Sequence, residues 1–419
     1  MLKKIVLPEI LFLIIGFIFG TAIMFVTPAN LVPDEVAHTI RACEISEGHF
    51  YNNVPYSDNN CYKKLRDAHI LPKVNIEQFQ GASGYSPVNY IASGLGLKIF
   101  SVVKNPQVMY YAGRFFNFLL WLGLIFLAIH ITPVFKWQFL LCSLLPMNIY
   151  EGMSYSADSL SNAFSFLFFA YMFSLIFAGS DCKKQKIGLL YILSAVGAFC
   201  KGVIYPIFLF VFAKFKNIKN RIFITFTTLI FSFILYYIWQ SLNFVAIADT
   251  SAYEAHKHIL LHSPITFWGI FIKTLLVNAS GYIRGTIGVF GWGNIELPLI
   301  AYIVGVIIFM ASFIALPTPK ITKVFRGYAA LILAIFIIAI HALIFCTWTP
   351  IGAEQILGMQ GRYFVQILPL SFILFSCQSK SEECSKCSVV WKVVMTVYSV
   401  LLLVFTLCAI HNYVILGNG

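Results

Sequence analysis

The feature that most constrains this chain is a series of uninterrupted apolar runs, several of them about 20 residues long. At about 1.5 Å rise per residue, a helix of that length crosses the hydrocarbon core of a bilayer. The clearest runs lie at 8–26, 115–134, 160–178, 222–240, 297–316, 327–347 and 389–411. Shorter or interrupted ones lie at 137–150, 187–200, 202–213 and 362–377, and these are admissible where neighbouring helices or a water-filled cavity cover them. The reading is an all-α integral membrane protein with about eleven transmembrane helices, organised as a single polytopic domain over residues 1–419. A transmembrane barrel is excluded, because barrels show short alternating segments rather than long apolar runs. Charged residues make up 11% of the chain against 59% hydrophobic, less than half of the roughly one quarter that soluble domains carry. A soluble enzyme and a disordered chain are therefore excluded as well.

The net charge of +12 reads as a topology signal. With the N-terminus inside, the cytoplasmic segments hold Lys3, Lys4, Lys136, Lys183, Lys184, Lys186, Lys214, Lys216, Lys219, Arg221, Lys320, Lys323, Arg326, Lys380, Lys386 and Lys392, as the positive-inside rule requires of short loops. This pattern leaves no basic face for nucleic acid. Of the 17 acidic residues, all but Glu9, Asp181, Glu382 and Glu383 then fall outside, so acid–base chemistry is expected on the outer face. The first segment begins like a signal peptide, but no small-residue cleavage site follows it, and it reads as a retained helix. Residues 27–114 form a long outer loop. Residues 265–296, rich in glycine around Arg284, read as an interfacial or re-entrant hairpin rather than a full crossing. No internal repeat is evident.

Two of the ten cysteines, Cys43 and Cys61, lie in the long outer loop, where an oxidising periplasm allows them to pair or to remain free. Cys384-Ser385-Lys386-Cys387 is a lone C-x-x-C on the cytoplasmic side without the further ligands a zinc site needs.

The outer loop opens with Val32-Pro33-Asp34-Glu35-Val36-Ala37-His38-Thr39-Ile40-Arg41. Adjacent carboxylates at a membrane surface repel each other and are costly to desolvate, so one needs a cationic partner or a raised pKa. Such a group suits a general base or a metal ligand. The same residues also fit a helix start, where Pro at the first position and carboxylates in the first turn are favoured. On a helix, Glu35, His38 and Thr39 share one face, while Asp34, His38 and Arg41 form a second stripe. Asp158, within Ser154-Tyr155-Ser156-Ala157-Asp158-Ser159, stands at the head of a spanning helix, where it or a neighbouring Ser could serve as an N-cap. Lys201 and the run Gln360-Gly361-Arg362-Tyr363 sit at predicted outer ends of helices. There a cation either snorkels to lipid phosphate or binds a phosphate ligand, and a preceding Gly permits close approach.

Taken in order, Pro33-Asp34-Glu35 with Ala37-His38 and Arg41, Ser156-Ala157-Asp158-Ser159 with Asn162, Gly291-Trp292-Gly293 ahead of Pro298, and Gln360-Gly361-Arg362-Tyr363-Phe364 ahead of Pro369 resemble the bacterial membrane proteins grouped as domain of unknown function family 2142. The resemblance implies membership of the GT-C clan of glycosyltransferases, which take sugar from a polyprenyl-phosphate donor on the outer face. In that clan an acidic residue in the first outer loop acts as base or metal ligand, which corresponds to Asp34 or Glu35 here. The chain departs from the family at Val36, where a Pro usually follows the acidic pair, and at Asn294, where an Asp is expected; a carboxylate role at Asn294 is thereby removed. Size and outer loops also resemble the O-antigen glucosyltransferases.

The resulting expectation is transfer of a hexose from a polyprenyl-phosphate-linked sugar to a surface polysaccharide acceptor, at the outer face of the bacterial inner membrane. Asp34 and Glu35 are the expected catalytic residues, with a divalent cation on one of them if a metal is used. His38, Arg41, Asp158, Lys201, Arg284, Gln360, Arg362 and Tyr363 are the expected substrate-binding residues. The alternative is a transporter or flippase of a lipid-linked or anionic solute, which would place charges near the bilayer midplane.

Overall fold

A computed structural model describes residues 7–51, 59–73, 82, 84–178, 184–243, 249–378 and 385–417, with backbone alone at 184, 185, 385 and 386. Lys3, Lys4, Asp58, Glu77, Asp181, Lys183, Lys380, Glu382, Glu383 and the Cys384 half of the C-x-x-C lie outside the described residues.

The architecture is helical, as the apolar runs require. In chain order the helices are α1 (Pro8–Val26), α2 (Glu35–Ser46), α3 (Asn60–Asp67), α4 (Ile91–Phe100), α5 (Pro106–Ile131), α6 (Lys136–Ser143), α7 (Pro146–Gly152), α8 (Ala157–Phe177), α9 (Lys184–Phe199), α10 (Ile218–Leu242), α11 (Thr250–His262), α12 (Pro264–Gly288), α13 (Leu299–Ala315), α14 (Lys323–Trp348), α15 (Leu368–Phe375) and α16 (Ser385–Ile415). Among the described residues six helices are long and apolar enough to cross a membrane: α1, α5, α8, α10, α14 and most of α16. The pair α11 and α12, bent by 107°, would make a seventh.

The innermost helix is α8, with 89% of its apolar window buried, whereas α10 has only 17% of its window covered. That contrast follows from composition. The first turns of α8 carry Ser159, Ser161 and Asn162, which are buried and would be costly against lipid, while α10 turns Phe223, Phe226 and Phe233 outward. At the far end of α8 an aromatic cluster joins Phe135, Phe139 and Phe173 to Phe313 and Phe372, with ring centroids 5.2 to 6.3 Å apart. Small residues bring helices close, as membrane interiors favour. A Cβ on Gly96 of α4 would lie 2.5 Å from the Ala112 carbonyl oxygen of α5.

Several segments differ in form from the apolar runs that announced them. The run 137–150 is two helices, α6 and α7, broken before Pro146 because proline removes a helical donor. The run 202–213 is a 3-10 segment, Tyr205–Phe212, whose rise of about 2.0 Å per residue lets few residues cover a long distance. It travels beside α8 from end to end: Lys201 meets Asp158 in the first turn of α8, and the Lys214 amide donates to the Leu175 carbonyl in its last. The stretch 27–114 is not one loop. It holds α2, α3, α4 and the 3-10 turn Pro87–Tyr90, and α5 begins at Pro106, earlier than its apolar core suggests. A disulfide joins Cys43 of α2 to Cys61 of α3, with Cα atoms 5.4 Å apart.

In the glycine-rich region, α12 is a 25-residue helix followed by the antiparallel hairpin β1 (Val289–Phe290) and β2 (Ile295–Glu296), paired Val289 with Glu296 and Phe290 with Ile295. Along its length α12 faces the same stretch of chain: Phe267 packs on Phe345 and Phe271 on His341, and Tyr282 on Phe364.

The Cys43–Cys61 bond closes a separation of 18 residues, worth about 3 kcal/mol in the chain-entropy account. The unreduced protein is expected to run faster than the reduced one on a denaturing gel. Cys43→Ser should abolish that difference and speed proteolysis between α2 and α4, measured by mass mapping of the fragments.

Candidate active site

At the head of α8 the chain gathers charges from segments far apart in sequence, Glu151, Asp158 and Arg362 among them buried. The centre is Arg362, at the start of a 3-10 segment, Gly361–Ile367. One terminal guanidinium nitrogen donates to Asp34 Oδ2 at 2.9 Å and the other to Glu151 Oε1 at 3.3 Å, while Nε stands 3.7 Å from Asp158 Oδ2. Asp158 in turn accepts from Lys201 Nζ at 2.5 Å, and that ammonium lies 5.0 Å above the Tyr85 ring and 5.8 Å from the Tyr363 ring. Two cations thus hold three carboxylates. Glu151 Oε2 and Arg362 Nε are buried without hydrogen-bond partners among the described residues.

The local backbone explains why the acids face inward. Asp34 adopts a left-handed conformation, φ 63°, and its side chain makes no capping bond to α2. Capping therefore does not account for this carboxylate. A non-glycine residue pays roughly 1 kcal/mol for that conformation, and here it turns the carboxylate toward Arg362, residue 362 being 328 positions away. The same logic applies at α8, where the Ser156 hydroxyl caps the helix by accepting from the Asp158 amide. The Asp158 side chain is left for Lys201. Gly361 permits a close approach, but to protein: a Cβ there would lie 2.5 Å from the Tyr282 carbonyl oxygen and 2.6 Å from Gly285 Cα.

His38, one turn into α2, is stacked between Tyr85 and Tyr90, with Nδ1 2.7 Å from the Tyr90 hydroxyl. Burial, then the nearby charge of Lys201, lowers its pKa to about 4, against smaller opposing effects of Asp34 and Asp158. The ring is neutral at pH 7.

Asp34, His38, Asp158, Lys201, Arg362 and Tyr363 are thus brought together. Glu35 is not. Its two carboxylate oxygens are taken by Arg114, Nε to Oε1 at 2.9 Å and a terminal nitrogen to Oε2 at 2.6 Å, both side chains are fully buried, and the Tyr155 amide also donates to it. Arg114 further donates to the carbonyls of Thr27 and Pro28. Arg41 is directed away as well, bonded to Glu44 at 2.5 Å and to the Phe50 carbonyl at 2.7 Å. Glu35 and Arg41 thus stand outside the cluster, and the helical stripe of Asp34, His38 and Arg41 does not form one cluster. Arg284 pairs with Glu296 at 2.5 Å and, with Gln360, borders a cavity that also reaches Glu151 and Arg362. Glu151 and Arg114 were the residues sequence reasoning missed. Each is an ionisable group inside an apolar helical stretch, which is a functional signal in a membrane.

A divalent ion on Asp34 or Glu35 does not fit this donor set. Glu35 is engaged at both oxygens, Asp34 is paired with Arg362, and among the described residues no three His, Cys, Asp or Glu side chains converge as metal ligands.

Two spaces meet at the cluster. One is the cavity just named, of about 310 Å³. The other is an apolar groove of about 500 Å³ between the 3-10 segment Tyr205–Phe212 and α14, walled by Phe208, Ile332, Phe336 and Leu343, with Lys201 and Gln366 among its lining.

A multi-span helical membrane protein with a buried charge cluster at one end of its central helix is the class that this fold and site define. Residues 51–371 match the family described as Predicted membrane protein (DUF2142), and the chain belongs to that family. Asp158, Lys201 and Arg362 fall within the matched stretch, while Asp34 and His38 precede it. No curated protein and no solved structure matches the chain.

Breaking the buried Glu35–Arg114 pair leaves one uncompensated charge, so Arg114→Ala is expected to destabilise by about 3–5 kcal/mol, and Arg114→Lys should not restore the two-pronged contact. Thermal unfolding of the detergent-solubilised protein measures both. His38 has a lowered folded pKa, so the unfolded chain binds its proton first as pH falls. Its contribution to stability is complete above about pH 6.5 and is lost as pH falls toward about 4. His38→Gln should flatten the pH dependence of the unfolding temperature across that window.

Proposed function

We propose that this chain is a GT-C-type integral-membrane glycosyltransferase. It transfers a hexose from a polyprenyl-phosphate donor to a hydroxyl of a surface polysaccharide such as O-antigen, on the outer face of the bacterial inner membrane. In this reading the chain crosses about eleven times with its N-terminus cytoplasmic. The observation that carries the proposal is the pair of cations, Arg362 and Lys201, which share the Asp158 carboxylate between an apolar groove and a cavity of mixed lining. Supporting the orientation, Asp34, Glu151, Asp158, Lys201 and Arg362 gather at one end of α8, while Lys214 reaches the Ala178 carbonyl at the other.

The chemistry follows from charge. Breaking the bond between an anomeric carbon and a phosphate oxygen leaves negative charge on the phosphate, and fixed cations stabilise it. The isoprenoid chain lies in the apolar groove, and its phosphate draws Lys201 away from Asp158 and Arg362 away from Asp34. Asp34, whose side chain is 47% exposed, is then released from its ion pair and free to accept a proton. It takes the proton of the acceptor hydroxyl as the oxygen bonds to the anomeric carbon, and the lipid phosphate leaves with the bonding electrons. His38, neutral and stacked on Tyr85, holds the ring against which Lys201 rests. Arg284, already paired with Glu296, is a weaker candidate for the phosphate than Lys201.

Transfer from polyprenyl-phosphate hexose in isolated membranes tests the proposal. Asp34→Asn is expected to lose about 10²–10⁴-fold in rate at unchanged protein level and unfolding temperature, and Arg362→Ala about 10²–10³-fold per folded molecule, with a lowered unfolding temperature because the buried Glu151 loses its counter-charge. Near-normal transfer in both variants would overturn it. A transporter or flippase would move substrate without forming a glycosidic bond, so the same assay separates the two.

A further inference from the structure

The cavity of about 310 Å³ beside Arg362 is at the small end of the roughly 300–1,000 Å³ typical of ligand sites, a size that suits one or two sugar rings. Its composition is unlike that of the apolar groove. Trp292 stands at its edge on the tip of the β1–β2 hairpin, where Gly291 at φ 57° and Gly293 at φ 91° make the reversal and the residue is left 67% exposed. Asn278 and Tyr282 of α12 form one side, and the Arg284–Glu296 pair lies on the rim. At the floor are Glu151, whose Oε2 is buried and unpartnered among the described residues, and Arg362.

A pyranose ring has a C–H face that packs on an aromatic plane and a hydroxyl rim that both donates and accepts. An exposed indole meets the first need. A guanidinium next to carboxylates meets the second with charge-assisted bonds. A phosphate is disfavoured in the same place, because Glu296 already neutralises Arg284 and Glu151 adds negative charge. Pro33 also lines this cavity, which puts a ring bound there one residue from Asp34.

From this geometry we infer that the cavity is the binding site for a terminal saccharide of the acceptor, with Trp292 as its stacking platform and Glu296 and Glu151 accepting from its hydroxyls. The inference rests on the reading of the chain as a sugar-handling enzyme, and it assigns the acceptor to a space separate from the lipid groove.

The experiment is saturation-transfer NMR on the full chain in lipid nanodiscs. Methyl α-D-glucopyranoside, methyl β-D-galactopyranoside and methyl α-L-rhamnopyranoside serve as probes, with empty nanodiscs as background. At least one glycoside is expected to receive transfer at its ring protons. The signal should fall at least fivefold in Trp292→Ala and in Glu296→Ala, survive largely in Trp292→Phe, and be unchanged in Trp268→Ala, an exposed tryptophan at the other end of α12. No transfer to any of the three glycosides, or equal transfer in wild type and Trp292→Ala, overturns the site; the latter is the result expected if Trp292 only anchors in the headgroup layer. Trp292-dependent binding without sugar transfer in membranes keeps the site and removes the glycosyltransferase reading. Transfer without Trp292-dependent binding does the reverse.

Discussion

The rest of this structure depends on the buried pair of Glu35 and Arg114. Two opposite charges removed from water cost several kcal/mol each in desolvation, and only two-pronged geometry with further hydrogen bonds recovers it. Both conditions are met: the guanidinium grips both oxygens of Glu35 and also caps the carbonyls that end α1. The consequence reaches one residue back. With Glu35 drawn inward toward α5 and α2 starting there, Asp34 stands in a left-handed turn with its carboxylate on Arg362. A locally unfavourable backbone thus goes with a long-range ion pair, that of Asp34 with Arg362.

The cluster on the other side of that turn is balanced for exchange. Arg362 and Lys201 are each held by carboxylates, yet Asp158 is shared between them, and Glu151 Oε2 and Arg362 Nε make no hydrogen bond among the described residues. An anion that enters between the cations has donors to take over, and carboxylates then stand free to act on protons. The groove on one side is apolar and ends at a lysine; the cavity on the other is mixed and ends at a carboxylate. In the proposed function, that division gives the lipid-borne donor and the hydrophilic acceptor separate spaces.

Much of the arrangement was legible in the residues, though not always in the role expected. The adjacent Asp34 and Glu35 announced that a carboxylate at the membrane edge needed a cationic partner. Both have one, but a different one each, and only Asp34 belongs to the cluster. Arg362 after Gly361 was legible as a cation at a point of close approach. The approach is between the glycines of two helices, at 285 and 361. Arg41 lay on the stripe with Asp34 and His38 by helical periodicity, but a helix has several faces packed against different neighbours, and Glu44 with the Phe50 carbonyl claimed it. Glu151 was counted among the outer acids and passed over, because nothing in its immediate neighbours discloses that Arg362 lies opposite.

The sequence alone determined the helical membrane class and the approximate positions of the apolar segments. Hydropathy and loop charge act over a single segment, so they can be read without knowing its neighbours. Tertiary structure alone decided which charge meets which: Glu35 with Arg114, Asp34 and Glu151 with Arg362, Asp158 with Lys201. An ion pair depends on a few ångströms of separation between side chains that can be hundreds of residues apart. That distance is set only when the helices pack and fix their rotation.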